Sequence, residues 1–151
     1  MAIEKIDTKI IDWLGKLFIP FARFALFLVY FWFGILKLFN SSPAGPLAHA
    51  LTAKTIGTQN FSLSFHILGL VECLIGILFL FPKATRIVIP LLIIHLIIVC
   101  SPLLLVPNLA WSHFLVPTLD GQYIIKNVII GALAIGIAAQ TKPLKTSRKR
   151  Q

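Results

Sequence analysis

Four runs of about twenty mostly apolar residues, each long enough to cross a bilayer as a helix, leave this chain few folds to choose from. They cover residues 17–39, 63–81, 86–106 and 121–139. A β-barrel would alternate apolar and polar residues over about ten positions. Stretches such as 87–99 are instead apolar on every face. The composition agrees: 58% of residues are hydrophobic and 13% charged, against about 45–50% and roughly 25% in soluble domains. The reading is all-α, an integral membrane bundle of four transmembrane helices. The first run contains Arg23 and Lys37 and is longer than a cleavable signal core. Pro82 ends the second run, Pro90 falls in the first turn of the third, and Pro102 is expected to kink its far end.

Lysine and arginine orient such a bundle, because they collect on the cytoplasmic side. Lys5, Lys9 and Lys16 precede the first run, Lys83 and Arg86 sit between the second and third, and Lys142, Lys145, Arg148, Lys149 and Arg150 follow the fourth. The loops over 40–62 and 107–120 contain only Lys54. Both termini are therefore expected in the cytoplasm, with those two loops outside. Three segments follow. Residues 1–16 carry Ile3, Ile6, Ile10 and Trp13 at helical spacing and read as an amphipathic helix on the inner leaflet. Residues 17–139 form the four-helix domain. Residues 140–151 are a basic cytoplasmic tail that can touch anionic lipid. The net charge of +9 thus reads as topology and lipid contact, not as a nucleic-acid surface.

Charged groups in hydrocarbon are costly and usually face the bundle interior. Glu72 is the single acid inside a run, flanked by Gly69 and Gly76 on its own helical face. Arg23, Phe27, Tyr30, Gly34 and Lys37 share one face of the first run. Arg23 can snorkel to the cytoplasmic headgroups. Lys126 and Asn127 lie near the start of the fourth run. Lys37, His66, Glu72, Lys126 and Asn127 then gather in the outer half as a candidate polar pocket. The competing reading is a fixed ion pair, Glu72 with Lys126 or with Lys37, that holds the helices in register.

His95, alone in mid-run, reads as a hydrogen-bonded core residue. Neither histidine nor cysteine spacing offers a metal-ligand pattern, so no metal is assigned. Cys73 and Cys100 show no proximal dithiol spacing. Trp111 and Phe114 suit a membrane–water boundary.

Tyr30-Phe31-Trp32-Phe33-Gly34-Ile35-Leu36-Lys37, with Ser42-Pro43-Ala44 after it, resembles the first-span motif of the DoxX-like membrane proteins. Gly69-Leu70-Val71-Glu72 is similar to their second-span motif, and Pro117 to Asn127 to the start of their fourth span. The resemblance implies a four-helix protein of the bacterial inner membrane. It also implies a link to quinone-coupled oxidation, as the membrane subunit of an oxidoreductase complex with membrane or soluble partner subunits. On that reading Lys37 and Lys126 hydrogen-bond a carbonyl or anionic group, and Glu72 positions them or relays a proton. Two alternatives stay open: a non-enzymatic assembly or scaffold protein, and a small-solute transporter, which with four spans and no inverted repeat would need a homo-oligomer.

Overall fold

The computed structural model describes residues 2–143; the expected tail lies outside the described residues from position 144 on. Four helical segments are long and apolar enough to cross a membrane. Helix α1 (Ala2–Leu38) is followed by the short α2 (Gly45–Thr55), then α3 (Phe61–Phe79) and α4 (Thr85–Cys100). Two one-turn helices come next, α5 (Pro102–Leu105) and α6 (Pro107–Ala110). A small antiparallel pair, β1 (Trp111–His113) and β2 (Val116–Pro117), leads into α7 (Leu119–Ile125) and α8 (Asn127–Ala139).

The amphipathic segment expected over 1–16 is not a separate element. It is the first half of α1, whose 37 residues extend about 55 Å at 1.5 Å per residue. Ile3, Ile6, Ile10, Trp13 and Leu17 are all exposed. Burial starts at Ala22 and continues through Arg23, Leu26, Tyr30, Gly34 and Lys37, one face of the helix. The third span also differs from expectation at its prolines. Pro90 lies inside α4, past the first turn, where it removes the bond to the Arg86 carbonyl. Pro102 breaks the helix and opens α5. The fourth span is interrupted as well: Lys126 sits between α7 and α8, and the Ile129 N–H bonds back to the Lys126 carbonyl at i−3.

Helices α1 and α3 run antiparallel with their backbones nearly touching. A Cβ placed on Gly34 would lie 2.6 Å from the Gly69 carbonyl oxygen, and one on Gly76 would lie 2.9 Å from the Phe31 nitrogen. Small residues at these crossings let two helix backbones pack by close contact. Leu26, Ile75, Phe79, Val88, Leu92, Ala134 and Ile137 fill the core between α1, α3, α4 and α8.

One end of the bundle holds the α3–α4 turn; we call it the turn end. The described C-terminal stretch returns there, since Arg86 donates to the Lys142 carbonyl at 2.5 Å. Arg23 is held against the α3–α4 turn. It is 9% exposed and donates to the Phe79 carbonyl at 3.2 Å and to Thr85 Oγ1 at 2.6 Å. Thr85 in turn donates to the Pro82 carbonyl. The guanidinium thereby satisfies a carbonyl that the end of α3 leaves open. Arg23→Met is expected to cost about 1–3 kcal/mol in reversible unfolding in mixed micelles. Lys83→Met, on the exposed turn, is expected to cost almost nothing. Equal small effects would restore the snorkelling view.

The other end, the loop end, is more ordered than turn-rich loops would be. Helix α2 forms there, with His49 edge-on to Phe61 at 4.9 Å. Thr118 caps α7 by accepting the Gly121 N–H and donates to the Leu109 carbonyl at 2.6 Å. Trp111 Nε1 donates to the Leu103 carbonyl.

Candidate functional site

The α1–α3 crossing decides which charges meet. Gly34 and Gly69 lie backbone to backbone, which sets Lys37 across from Gly69, where a Cβ would lie 3.0 Å from the Lys37 Cβ, and lets the long Lys37 side chain reach along α3 to Glu72, one turn further on. Lys37 Nζ is 2.6 Å from Glu72 Oε2, with both side chains about 93–94% buried. The other carboxylate oxygen, Oε1, is 3.1 Å from His95 Nε2 on α4. His95 Nδ1 is 3.4 Å from the Tyr30 hydroxyl, back on α1, and the two rings meet edge to face. The network assigns the tautomer: Nε2–H donates to Glu72, and Nδ1 accepts from Tyr30. The result is one buried ladder, Lys37–Glu72–His95–Tyr30, across three helices. Its carboxylate is paired and hydrogen-bonded, as a buried ion must be. Its donors and acceptors are arranged so that a proton can pass between neighbours.

The ladder forms one wall of a cavity of about 520 Å³, within the roughly 300–1,000 Å³ of small-molecule sites. The remaining lining is mostly apolar: Leu36 from α1, Leu47 and Leu51 from α2, Leu68 from α3, Val99 from α4 and Ile130 from α8. Asp120, Tyr123 and Asn127 complete it on the α7–α8 side. A second cavity of about 390 Å³ lies between α2, α3 and α4, and shares Leu51, Leu68, His95 and Ile98 with the first. Few polar groups set against an apolar wall is the usual make-up of a small-molecule site.

Of the five residues expected to gather, Lys37, Glu72 and Asn127 line the cavity. Asn127 Nδ2 points toward Cys100 Sγ at 4.0 Å. His66 is outside it, held to the Ser62 carbonyl one turn back at 2.6 Å. Lys126 is exposed, with Nζ 4.6 Å above the ring of Tyr123. Adjacent residues on a helix point about 100° apart, so the turn that brings Asn127 to the cavity carries Lys126 away from it. Of the two ion pairs left open by the sequence, the structure forms Lys37 with Glu72. Tyr30 and His95 are the residues that sequence reasoning left out of the site. A usable signal existed for His95. It stands thirteen residues after Pro82, and Glu72 ten residues before. A hairpin folded at that proline brings the two to similar depth.

Cys73 and Cys100 are free thiols. Among the described residues no three His, Cys, Asp or Glu side chains converge as a metal site would require.

No protein-family model matches the chain, and no curated protein or solved structure does. The site's own chemistry therefore carries the functional argument.

Proposed function

We propose that the chain is a DoxX-like protein of the bacterial inner membrane that binds a quinone ring in the cavity as the membrane subunit of an oxidoreductase complex. Its termini would lie in the cytoplasm, in keeping with the positive charge of the flanking segments and the turn end. The observation that carries the reading is the ladder itself. It puts an ammonium, a carboxylate, an imidazole and a phenol on one wall of an otherwise apolar cavity.

A quinone needs two electrons and two protons to become a quinol. In this proposal a partner subunit supplies the electrons. Lys37 can donate one of its remaining N–H bonds to a ring oxygen, and the Tyr30 hydroxyl can donate to the other by turning from His95 Nδ1. The two protons come from bulk water in this proposal, and His95 and Glu72 relay them to those donors, each group returning to its starting state as the next proton arrives.

A second reading has support of its own. The first half of α1 exposes Ile3, Ile6, Ile10, Trp13 and Leu17 along one side. Those side chains suit a partner helix as well as lipid, which favours a scaffold role.

Native mass spectrometry of the protein extracted in mild detergent separates the two. A stoichiometric quinone, lost in Glu72→Gln and Tyr30→Phe, is the expected result. A co-purifying subunit without quinone would move the conclusion to the scaffold. A bare protein, repeated in nanodiscs, would count against both.

A further inference from the structure

The cavity has an opening between α1 and α7 whose lining is mostly apolar. Helices α1 and α8 meet near the turn end, where the ring of Phe18 lies 3.7 Å from a Cβ placed on Gly136. Toward the loop end α1 faces α7 instead, and there the cavity comes between them. Its lining includes Val29 and Phe33 from α1 and Leu119 and Tyr123 from α7. These four residues are also 36%, 50%, 67% and 59% exposed, respectively. Side chains that line the cavity and also reach the exterior mark its mouth. The wall on the α3 side is closed by the Gly34–Gly69 contact. Leu47, Ala48 and Leu51 of α2 roof the loop end with apolar groups. The ladder lies at the back, buried.

We infer that the seam between α1 and α7 is a lateral doorway to the bilayer, and that the ligand carries a hydrocarbon tail which lies in it. This rests on the quinone reading and narrows it to tailed quinones. The head would sit against Lys37, Glu72, His95 and Tyr30. The tail would leave between Val29 and Phe33 on one side and Leu119 and Tyr123 on the other. A polar solute arriving from water would meet an apolar roof and an apolar sill. Two charges stand near the sill. Asp120 lies one turn from Tyr123 toward the loop end, and Lys126 is turned outward onto the Tyr123 ring. Asp120 lines the loop-end edge of the passage, and Lys126 is turned away from it. The second cavity, beyond His95 and Ile98, is the competing place for a tail.

The test compares a tail-less tetramethylbenzoquinone with a decyl-tailed benzoquinone, each titrated onto the full chain in nanodiscs. Val29→Trp and Leu119→Trp fill the seam at exposed positions, and Ile94→Trp fills the second cavity. The seam variants are expected to weaken the decyl probe by about tenfold or more, and to change the tail-less probe by less than about twofold. Retained binding of the tail-less probe shows that the variants fold. Loss of the decyl probe in Ile94→Trp alone would place the tail in the second cavity and overturn the doorway. Equal weakening of both probes by the seam variants, or no weakening of either, would also overturn it while leaving the quinone reading in place. Wild-type protein that binds neither probe would remove the quinone reading and the doorway with it.

Discussion

Replacing Glu72 by leucine is expected to destabilise the bundle by about 3–5 kcal/mol, the usual cost of stranding a buried charge. Lys37 would keep its ammonium in a site where it is 6% exposed, with its carboxylate partner gone. His95 Nε2 would lose its acceptor at the same time. Lys37→Met alone is expected to fall in the same range, because it strands the carboxylate. The double variant Lys37→Met/Glu72→Leu is expected to recover most of the loss, since two apolar groups of similar size pack without an orphaned charge. Reversible unfolding in mixed micelles measures all three. A double variant no better than either single would mean that the pair is not a self-contained unit. The same double variant separates architecture from function. If it folds and no longer binds quinone, the ladder is a working site. If it folds and binds as before, the ladder is a register device and the quinone proposal loses its chemistry.

Gly34→Ala is the second large effect. The added methyl would sit 2.6 Å from the Gly69 carbonyl oxygen, 2.7 Å from Cys73 Sγ and 2.8 Å from the Cys73 nitrogen. Two of those three atoms are backbone and cannot turn aside, so α1 and α3 must move apart. Overpacking of this kind costs about 1–3 kcal/mol and sometimes more. Moving the helices also lengthens the Lys37–Glu72 contact, which spans the crossing. Gly34→Ala should therefore lower both stability and ligand affinity. Trimming the sulfur with Cys73→Ala relieves only one of the three contacts and should not rescue it. Full rescue would show that the sulfur, not the backbone, sets the spacing. Gly15→Ala, at a position with open space around it, is the control and should have little effect.

Much of this site could be read along single helices. The spacing of Arg23, Tyr30, Gly34 and Lys37 marks one inward face, and those four residues are buried together. Gly69 beside Glu72 marks a close crossing with a charge one turn away, and the crossing is present. What was less legible depended on more than one helix. His95 looks solitary in its own span; it becomes part of a ladder only because α4 packs beside Glu72 while α1 brings Tyr30 to its other face. Arg23 looked long enough to reach headgroups, but the turn after α3 offers it a carbonyl and a hydroxyl within reach. Helix α2 was hidden in a stretch of prolines, small residues and polar residues with no marked apolar face. It forms where α3 and α5 give it something to lie on.

The sequence by itself determined that the chain has four helices of membrane-crossing length, because runs so apolar must satisfy their backbone groups within the helix. It also determined which face of α1 turns inward, because 3.6 residues per turn puts Lys37 and Tyr30 on one stripe. Only the tertiary structure decided that Lys37, and not Lys126, pairs with Glu72. That choice depends on which helices touch and at what height. The height is set by Gly34 against Gly69, where the absence of side chains lets two backbones approach and puts Lys37 beside Gly69, within side-chain reach of Glu72 one turn along α3.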